Sequence, residues 1–268
     1  MKSSTVTIPS GTMEYVSFGN GRRNLIVLPG LSDGLATVKG KAFLLSLPYR
    51  KYSQDFTVWM FSRRNQLPPD ITIVDMADDQ VHACRTLGIQ KTAVLGVSQG
   101  GMIAQSLALR HPSLVEAMVL AVTAPSANDT VLACMGRWKQ YAEKNDHGKL
   151  MIDTAEHSYS EAALTRMRRF YPALSRVGKP KTYDRFLANI HAIEHFDVRD
   201  DLKNIHCPVL ILGGLLDQIV GKDASGMLHE AIPGSELYVY PQFGHGLYEE
   251  ADDFYERVFS FLKRCEKS

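Results

Sequence analysis

Gly96-Val97-Ser98-Gln99-Gly100-Gly101 stands between the apolar, β-branched run Thr92-Ala-Val-Leu95 and a segment of helical spacing that ends at His111-Pro112. The order is strand, tight turn, helix. Glycines two residues before and after Ser98 allow the chain to turn sharply there, since bulk at either place would meet the neighbouring strand and helix. A serine lifted out of a sheet in this way presents its hydroxyl. Because a helix starts directly after it, the backbone N–H of Gln99 faces the same spot with the positive end of the helix dipole behind it, a corner suited to a developing oxyanion. The bare Gly-x-Ser-x-Gly pattern carries little by itself. Its context carries more, since Ile103, Leu107 and Leu109 with small alanines have the spacing of a helix packed closely on a sheet.

Outward from this turn, apolar runs that read as strands recur at 13–18, 24–28, 56–61, 92–95, 117–121, 208–212 and 237–240. Segments of helical periodicity lie between most of them, notably 76–87, 99–110, 222–231 and 252–263. Such alternation predicts an α/β fold, a mostly parallel sheet covered by helices on both faces and joined by right-handed crossovers. At the start, a first strand or two joined at Pro9-Ser-Gly11 can form an antiparallel edge.

One stretch breaks the rhythm. From about 126 to 196 no convincing strand occurs, only amphipathic pieces at 131–144, 161–170 and 182–195. This predicts a helical cap inserted after the sixth strand, dividing the chain into a core of 1–125 with 197–268 and a cap of 126–196. The cap is rich in aromatics: Trp138, Tyr141, Tyr159, Phe170, Tyr171, Tyr183, Phe186 and Phe196. Most are expected to form its own small core, with a few facing Ser98 as a lid that excludes water.

With 268 residues the chain can bury one large core, and a formal charge of +1 gives no argument for nucleic acid as a partner. The N-terminus lacks the apolar centre of a signal peptide, and no run approaches the length that spans a bilayer. A cytoplasmic protein acting on a small molecule, with no membrane partner, is the expectation; nothing in the pattern sets an oligomeric state. Cys84, Cys134, Cys207 and Cys265 are scattered without metal-ligand spacing, so they are expected to be reduced, with Cys84 and Cys207 buried. Neither a cofactor nor a metal is expected.

A serine hydroxyl is a weak nucleophile at neutral pH, so an imidazole must take its proton and a third group must hold that imidazole in the right tautomer. Of nine histidines, His245 alone follows the last strand directly, in Phe243-Gly-His-Gly-Leu-Tyr-Glu-Glu250. His111 reads as a helix stop, and His82, His147, His157, His206 and His229 as exposed or satisfied positions. His191 and His195 lie in the cap and could at most touch substrate. For the acid, Val209-Leu-Ile-Leu-Gly-Gly-Leu-Leu-Asp217 runs from a buried strand to a carboxylate at the C-terminal sheet edge, where ligands bind in such folds. Asp129 is the alternative acid. A second oxyanion donor is expected from the loop Leu28-Pro-Gly-Leu-Ser-Asp-Gly34, with the N–H of Leu31 the candidate beside that of Gln99.

The serine turn, the order Ser98, Asp217, His245 and the Pro29-Gly30 loop together resemble the α/β-hydrolase superfamily over nearly the whole chain. Ile73-Val-Asp-Met-Ala-Asp-Asp-Gln80, Leu87-Gly-Ile89 and Pro112-Ser-Leu-Val115 are similar to its small capped, carboxylesterase-like members. The resemblance implies an eight-stranded α/β-hydrolase fold, with Ser98 as nucleophile, His245 as base and acid and Asp217 as its orienter. Two places depart from the family pattern: Pro29-Gly30 stands where His-Gly is frequent, and Ser62-Arg-Arg-Asn-Gln-Leu-Pro-Pro69 where Asp-x-Arg-Gly-x-Gly-x-Ser is frequent. Arg63 and Arg64 are expected to pair with Asp70 on the surface, with an anionic substrate tail as the other option.

The leading expectation is a serine hydrolase that cleaves an ester of a small or medium, mostly apolar substrate. The same triad could serve a carbon–carbon bond hydrolase or lyase, or an acyltransferase that prefers an alcohol or thiol to water. A small-molecule receptor with slow turnover is the reading from another class.

Overall fold

The computed structural model describes residues 1–174 and 176–267. Its centre is an eight-stranded sheet of β1 (Lys2–Ile8), β2 (Gly11–Phe18), β3 (Arg23–Leu28), β4 (Phe56–Arg64), β5 (Thr92–Val97), β6 (Val115–Ala121), β7 (Val209–Gly214) and β8 (Glu236–Tyr240). The strand order is β1-β2-β4-β3-β5-β6-β7-β8. The pairs β1–β2 and β2–β4 are antiparallel and all others parallel. β1 makes no continuous apolar run because it is an edge strand: only Val6 and Ile8 reach the core.

Buried on both faces, the central strands read as unbroken apolar runs, yet alternate residues serve different layers. Ile26, Leu28, Val94 and Met118 pack against α2 (Ile73–Thr86) and α3 (Gln99–Arg110) through Met76, Ile103 and Leu107. Leu25, Val27, Leu95 and Val119 face the other way, toward the layer that holds Phe254, Val258 and Phe261 of the C-terminal helix. A capping box starts α2: the Thr72 hydroxyl accepts from the Asp75 N–H while the Asp75 carboxylate accepts from the Thr72 N–H. On the same face as that C-terminal helix lies also the short α1 (Ala42–Ser46).

Between β6 and β7 the chain forms α4 (Asp129–Glu143), α5 (His147–Ser158), α6 (Glu161–Met167), α7 (Tyr171–Leu174) and α8 (Asp184–Glu194). After β7 come α9 (Ala224–Ala231), α10 (Leu247–Glu250) and α11 (Phe254–Arg264). The two ends of the helical segment meet at a neck, where Ser126 and Asp197 form an antiparallel bridge, Ala127 N–H donates to the Phe196 carbonyl and Val198 N–H to that of Pro125. The sequence reading lacks α5, whose apolar positions are diluted by hydroxyl and charged residues. Cys84 is buried as expected, but Cys207 is only half-buried and Cys134 is buried instead. No described helix is long and apolar enough to cross a membrane.

Candidate active site

Ser98 has φ 53° and ψ −120°, a left-handed conformation that costs a side chain-bearing residue about 1–3 kcal/mol. Its neighbours leave no alternative. A Cβ on Gly96 would stand 2.5 Å from the Gly100 carbonyl, and one on Gly100 would stand 2.0 Å from that of Leu28. The turn is pinned by Ser98 N–H donating to the Ala121 carbonyl and by the Thr123 hydroxyl donating to the Ser98 carbonyl, at 2.9 and 2.8 Å. Val122 also has a positive φ, 45°, which is unusual for a β-branched residue and turns Thr123 against the elbow.

Three elements then converge. His245, in the loop after β8, has its Nε2 3.0 Å from Ser98 Oγ and its Nδ1 2.9 Å from Asp217 Oδ2. Asp217 follows β7, and its other oxygen accepts from the N–H groups of Ile219 and Val220, at 2.9 and 3.0 Å. Both side chains are nearly sealed, with 7% and 6% of their residues' surface exposed, so the ring cannot swing freely. The glycines beside His245 have steric reasons: a Cβ on Gly244 would come within 2.9 Å of the Leu216 carbonyl, and one on Gly246 within 2.8 Å of the Tyr159 ring. Asp129 is not part of this cluster. It is exposed in the first turn of α4, where a negative charge suits the helix dipole.

Leu31 and Gln99 each occupy the first position of a helix, the 3-10 turn Leu31–Gly34 and α3 respectively. N–H groups at that position have no intrahelical acceptor. The two segments are close, because a Cβ on Gly30 would lie 3.3 Å from Ser98 Cβ.

Arg63 and Arg64 overturn the surface pairing expected of them. β4 runs to Arg64, three residues past the predicted end, so both arginines belong to the sheet and not to a solvated loop. Arg64 Nε lies 3.5 Å from Asp79 on α2, while Asp70 stays exposed. Arg63 is 1% exposed, and its Nη2 donates to the Pro29 carbonyl at 2.7 Å and to Gln99 Oε1 at 2.8 Å. Burial pushes its guanidinium down to about 10, with Asp33 opposing, so it is charged at neutral pH. Asp33 accepts from the Arg63 N–H and from Arg185 of α8, at 2.9 and 2.7 Å.

A cavity of about 130 Å³ opens at Ser98 and His245. Trp138, Leu150, Met151, Phe186 and Ile219 give it an apolar wall, and Ser32, Thr154, Ser158 and Tyr248 add hydroxyl-bearing residues. Among the described residues no Asp, Glu, Lys or Arg lines it. Of the eight aromatics noted in the sequence, Trp138 and Phe186 reach this cavity, whereas Phe170 is 55% exposed. His191 and His195 do not line it; their rings lie 4.2 Å apart elsewhere on α8 and just after it. Among the described residues no group of three or more His, Cys, Asp or Glu is placed to hold a metal ion.

The model of the alpha/beta hydrolase fold family matches residues 24–252. The chain belongs to that family. It is accordingly a hydrolase. A protein of Caulobacter sp. strain K31 named "Putative carbamate hydrolase RutD" is 27% identical over 196 residues, which are 71% of this chain and 72% of that protein. The human serine hydrolase BPHL is 24% identical, over 97% of this chain and 86% of its own. Among solved structures, the enol-lactonase from Burkholderia xenovorans LB400 superposes with a TM-score of 0.80 at 20% identity, over 97% of this chain and 100% of that one. Within the hydrolase family, then, the fold is shared widely while sequences have diverged. Hydrolase folds host many chemistries, so the reaction has to be argued from the site.

Proposed function

We propose that the protein is a serine esterase working through a Ser98–His245–Asp217 triad on small or medium, uncharged acyl substrates. The observation that carries the reading is the unbroken relay from Ser98 Oγ to His245 Nε2, 3.0 Å, and from His245 Nδ1 to Asp217, 2.9 Å. In it, His245 takes the serine proton as Oγ attacks the ester carbonyl, then returns it to the leaving alcohol; water repeats both steps on the acyl-enzyme. Asp217 sets the tautomer that leaves Nε2 free to accept. The N–H groups of Leu31 and Gln99 receive the carbonyl oxygen as it becomes negative.

Residues 126–196 form the lid in this reading. The neck at 125–127 and 196–198 supports treating them as one unit, and the apolar wall from Trp138 to Phe186 supports an uncharged acyl group. Carbamates and enol-lactones, the substrates in the names of two similar proteins, are cleaved at the same kind of carbonyl. The four free cysteines suit a reducing compartment such as the cytoplasm.

A series of aryl esters of increasing acyl length, run beside carbamates, lactones and a diketone, tests the reading. Each buried methylene contributes about 0.8 kcal/mol, so kcat/KM is expected to climb about fourfold per carbon to a maximum at short to medium chains. Near-zero ester turnover with cleavage of the diketone would reassign the triad to carbon–carbon bonds.

A further inference from the structure

We propose that Arg63 is a positioning residue that holds the two halves of the oxyanion hole in register through a single nitrogen. The inference rests on the esterase reading above. Arg63 Nη2 makes both of the side chain's hydrogen bonds, one to the Pro29 carbonyl and one to Gln99 Oε1. Its Nε and Nη1 have no hydrogen-bond partner among the described residues.

Those two acceptors are informative. Pro29 leads directly into Gly30 and Leu31, so holding its carbonyl fixes the Pro29–Gly30 peptide, one residue ahead of the Gly30–Leu31 peptide that carries the Leu31 N–H. Gln99 is the residue whose backbone N–H forms the other donor, and its side chain is further held by donating from Nε2 to the Asn189 carbonyl of α8 at 3.2 Å. Segments nearly seventy positions apart in the chain, at 29–31 and 98–99, thus share one donor atom.

A purely structural role would not call for an arginine. An apolar side chain of similar volume would fill a buried place at lower desolvation cost than a guanidinium, and would supply neither bond. Asp33 offsets part of that cost from within the same 3-10 turn as Leu31, and is itself bound by Arg185. Arg63 does not line the cavity, so it acts through the donors and does not touch the reacting atoms.

The experiment compares wild type with Arg63→Met, Arg63→Lys and Gln99→Met. Active sites are counted with a fluorophosphonate, turnover is measured on an aryl ester, and a trifluoromethyl ketone that forms a tetrahedral oxyanion on serine is used as inhibitor. Misplacement of the donors predicts that Arg63→Met lowers kcat per active site by about 10- to 100-fold with KM little changed. Affinity for the ketone falls by a similar factor, and the pH limb of kcat/KM stays in place because the imidazole is not in contact with Arg63. Arg63→Lys recovers part of the loss, since one nitrogen suffices for both bonds, and Gln99→Met shows a smaller loss because the Pro29 bond remains. Wild-type kcat per active site in Arg63→Met, with only a lower Tm, overturns the proposal. If Arg63→Met does not fold, unchanged kcat and ketone affinity in both other variants overturn it equally. Wild type that is not labelled at Ser98 overturns the esterase reading first and this inference with it, so the two failures are distinguishable.

Discussion

The sheet and the helical segment above it meet at one serine, but they bring different things to it. Ser98, Asp217 and His245 come from turns at the ends of β5, β7 and β8, where glycines leave no room even for a Cβ. The helices bring Trp138, Leu150, Met151, Thr154 and Phe186, a wall of side chains without a charge. Backbone sterics fix the first group; packing and a few ties fix the second. On the α8 side the tie is Arg185, which donates to Asp33 and to the carbonyls of Asp33, Arg63 and Arg64. On the α5 side, the Ser158 carbonyl accepts from the Gly246 N–H at 2.7 Å, and Ser160 donates to Glu250. Rate is therefore expected to depend chiefly on the sheet turns and selectivity on the helices.

The largest effect should come from the turns. Asp217→Asn presents the wrong hydrogen-bonding group to His245 Nδ1 and is expected to lower kcat about 10⁴-fold, with the fold intact by circular dichroism. Asp129→Asn should leave kcat unchanged; the reverse pattern would move the acid to α4.

A medium effect is expected where the two regions touch. Gly246→Ala drives a Cβ against the Tyr159 ring, shifts His245 and should cost about 10- to 100-fold in kcat. Adding Tyr159→Ala should restore part of that rate. Failure of the second substitution to help would place the strain at the Ser158 carbonyl, 3.1 Å from the same Cβ, and tie the base to the α5 backbone itself.

The smallest effect belongs to the wall. Trp138→Ala should lengthen the acyl chain preferred in the aryl-ester series, by about fourfold in relative kcat/KM for each methylene that newly fits. Turnover on the shortest ester should change little. A uniform loss across the series would instead give Trp138 a part in holding the site together, through its indole N–H donating to Asp153 at 2.8 Å.

The same contrast explains what could be read from the sequence. Strands buried on both faces announce themselves as apolar runs, and Gly96, Gly100, Gly244 and Gly246 mark turns whose geometry tolerates little else. The triad candidates follow because each stands in the segment that follows a strand, Ser98 directly after β5, Asp217 in the turn beyond β7 and His245 in the loop beyond β8. The helical segment gives weaker signals: α5 went unread, although Thr154 and Ser158 on it reach the cavity and its last carbonyl holds the His245 loop. Long-range pairing is hidden for another reason. Arg63 meets Asp33 across 30 positions and Arg185 meets Asp33 across 152, and no periodicity encodes such partners. Arg64 pairs with Asp79 and not Asp70 because β4 extends three residues beyond its apolar run. The positive φ of Val122 has no sequence mark at all.

The central claim is that Ser98 is an activated nucleophile, and covalent capture tests it most directly. Wild type, Ser98→Ala and His245→Ala are treated with a fluorophosphonate, then analysed by intact mass and peptide mapping. The account predicts one adduct per chain on Ser98, none in Ser98→Ala and a strongly slowed reaction in His245→Ala. An adduct on another residue, or undiminished labelling without His245, would contradict it.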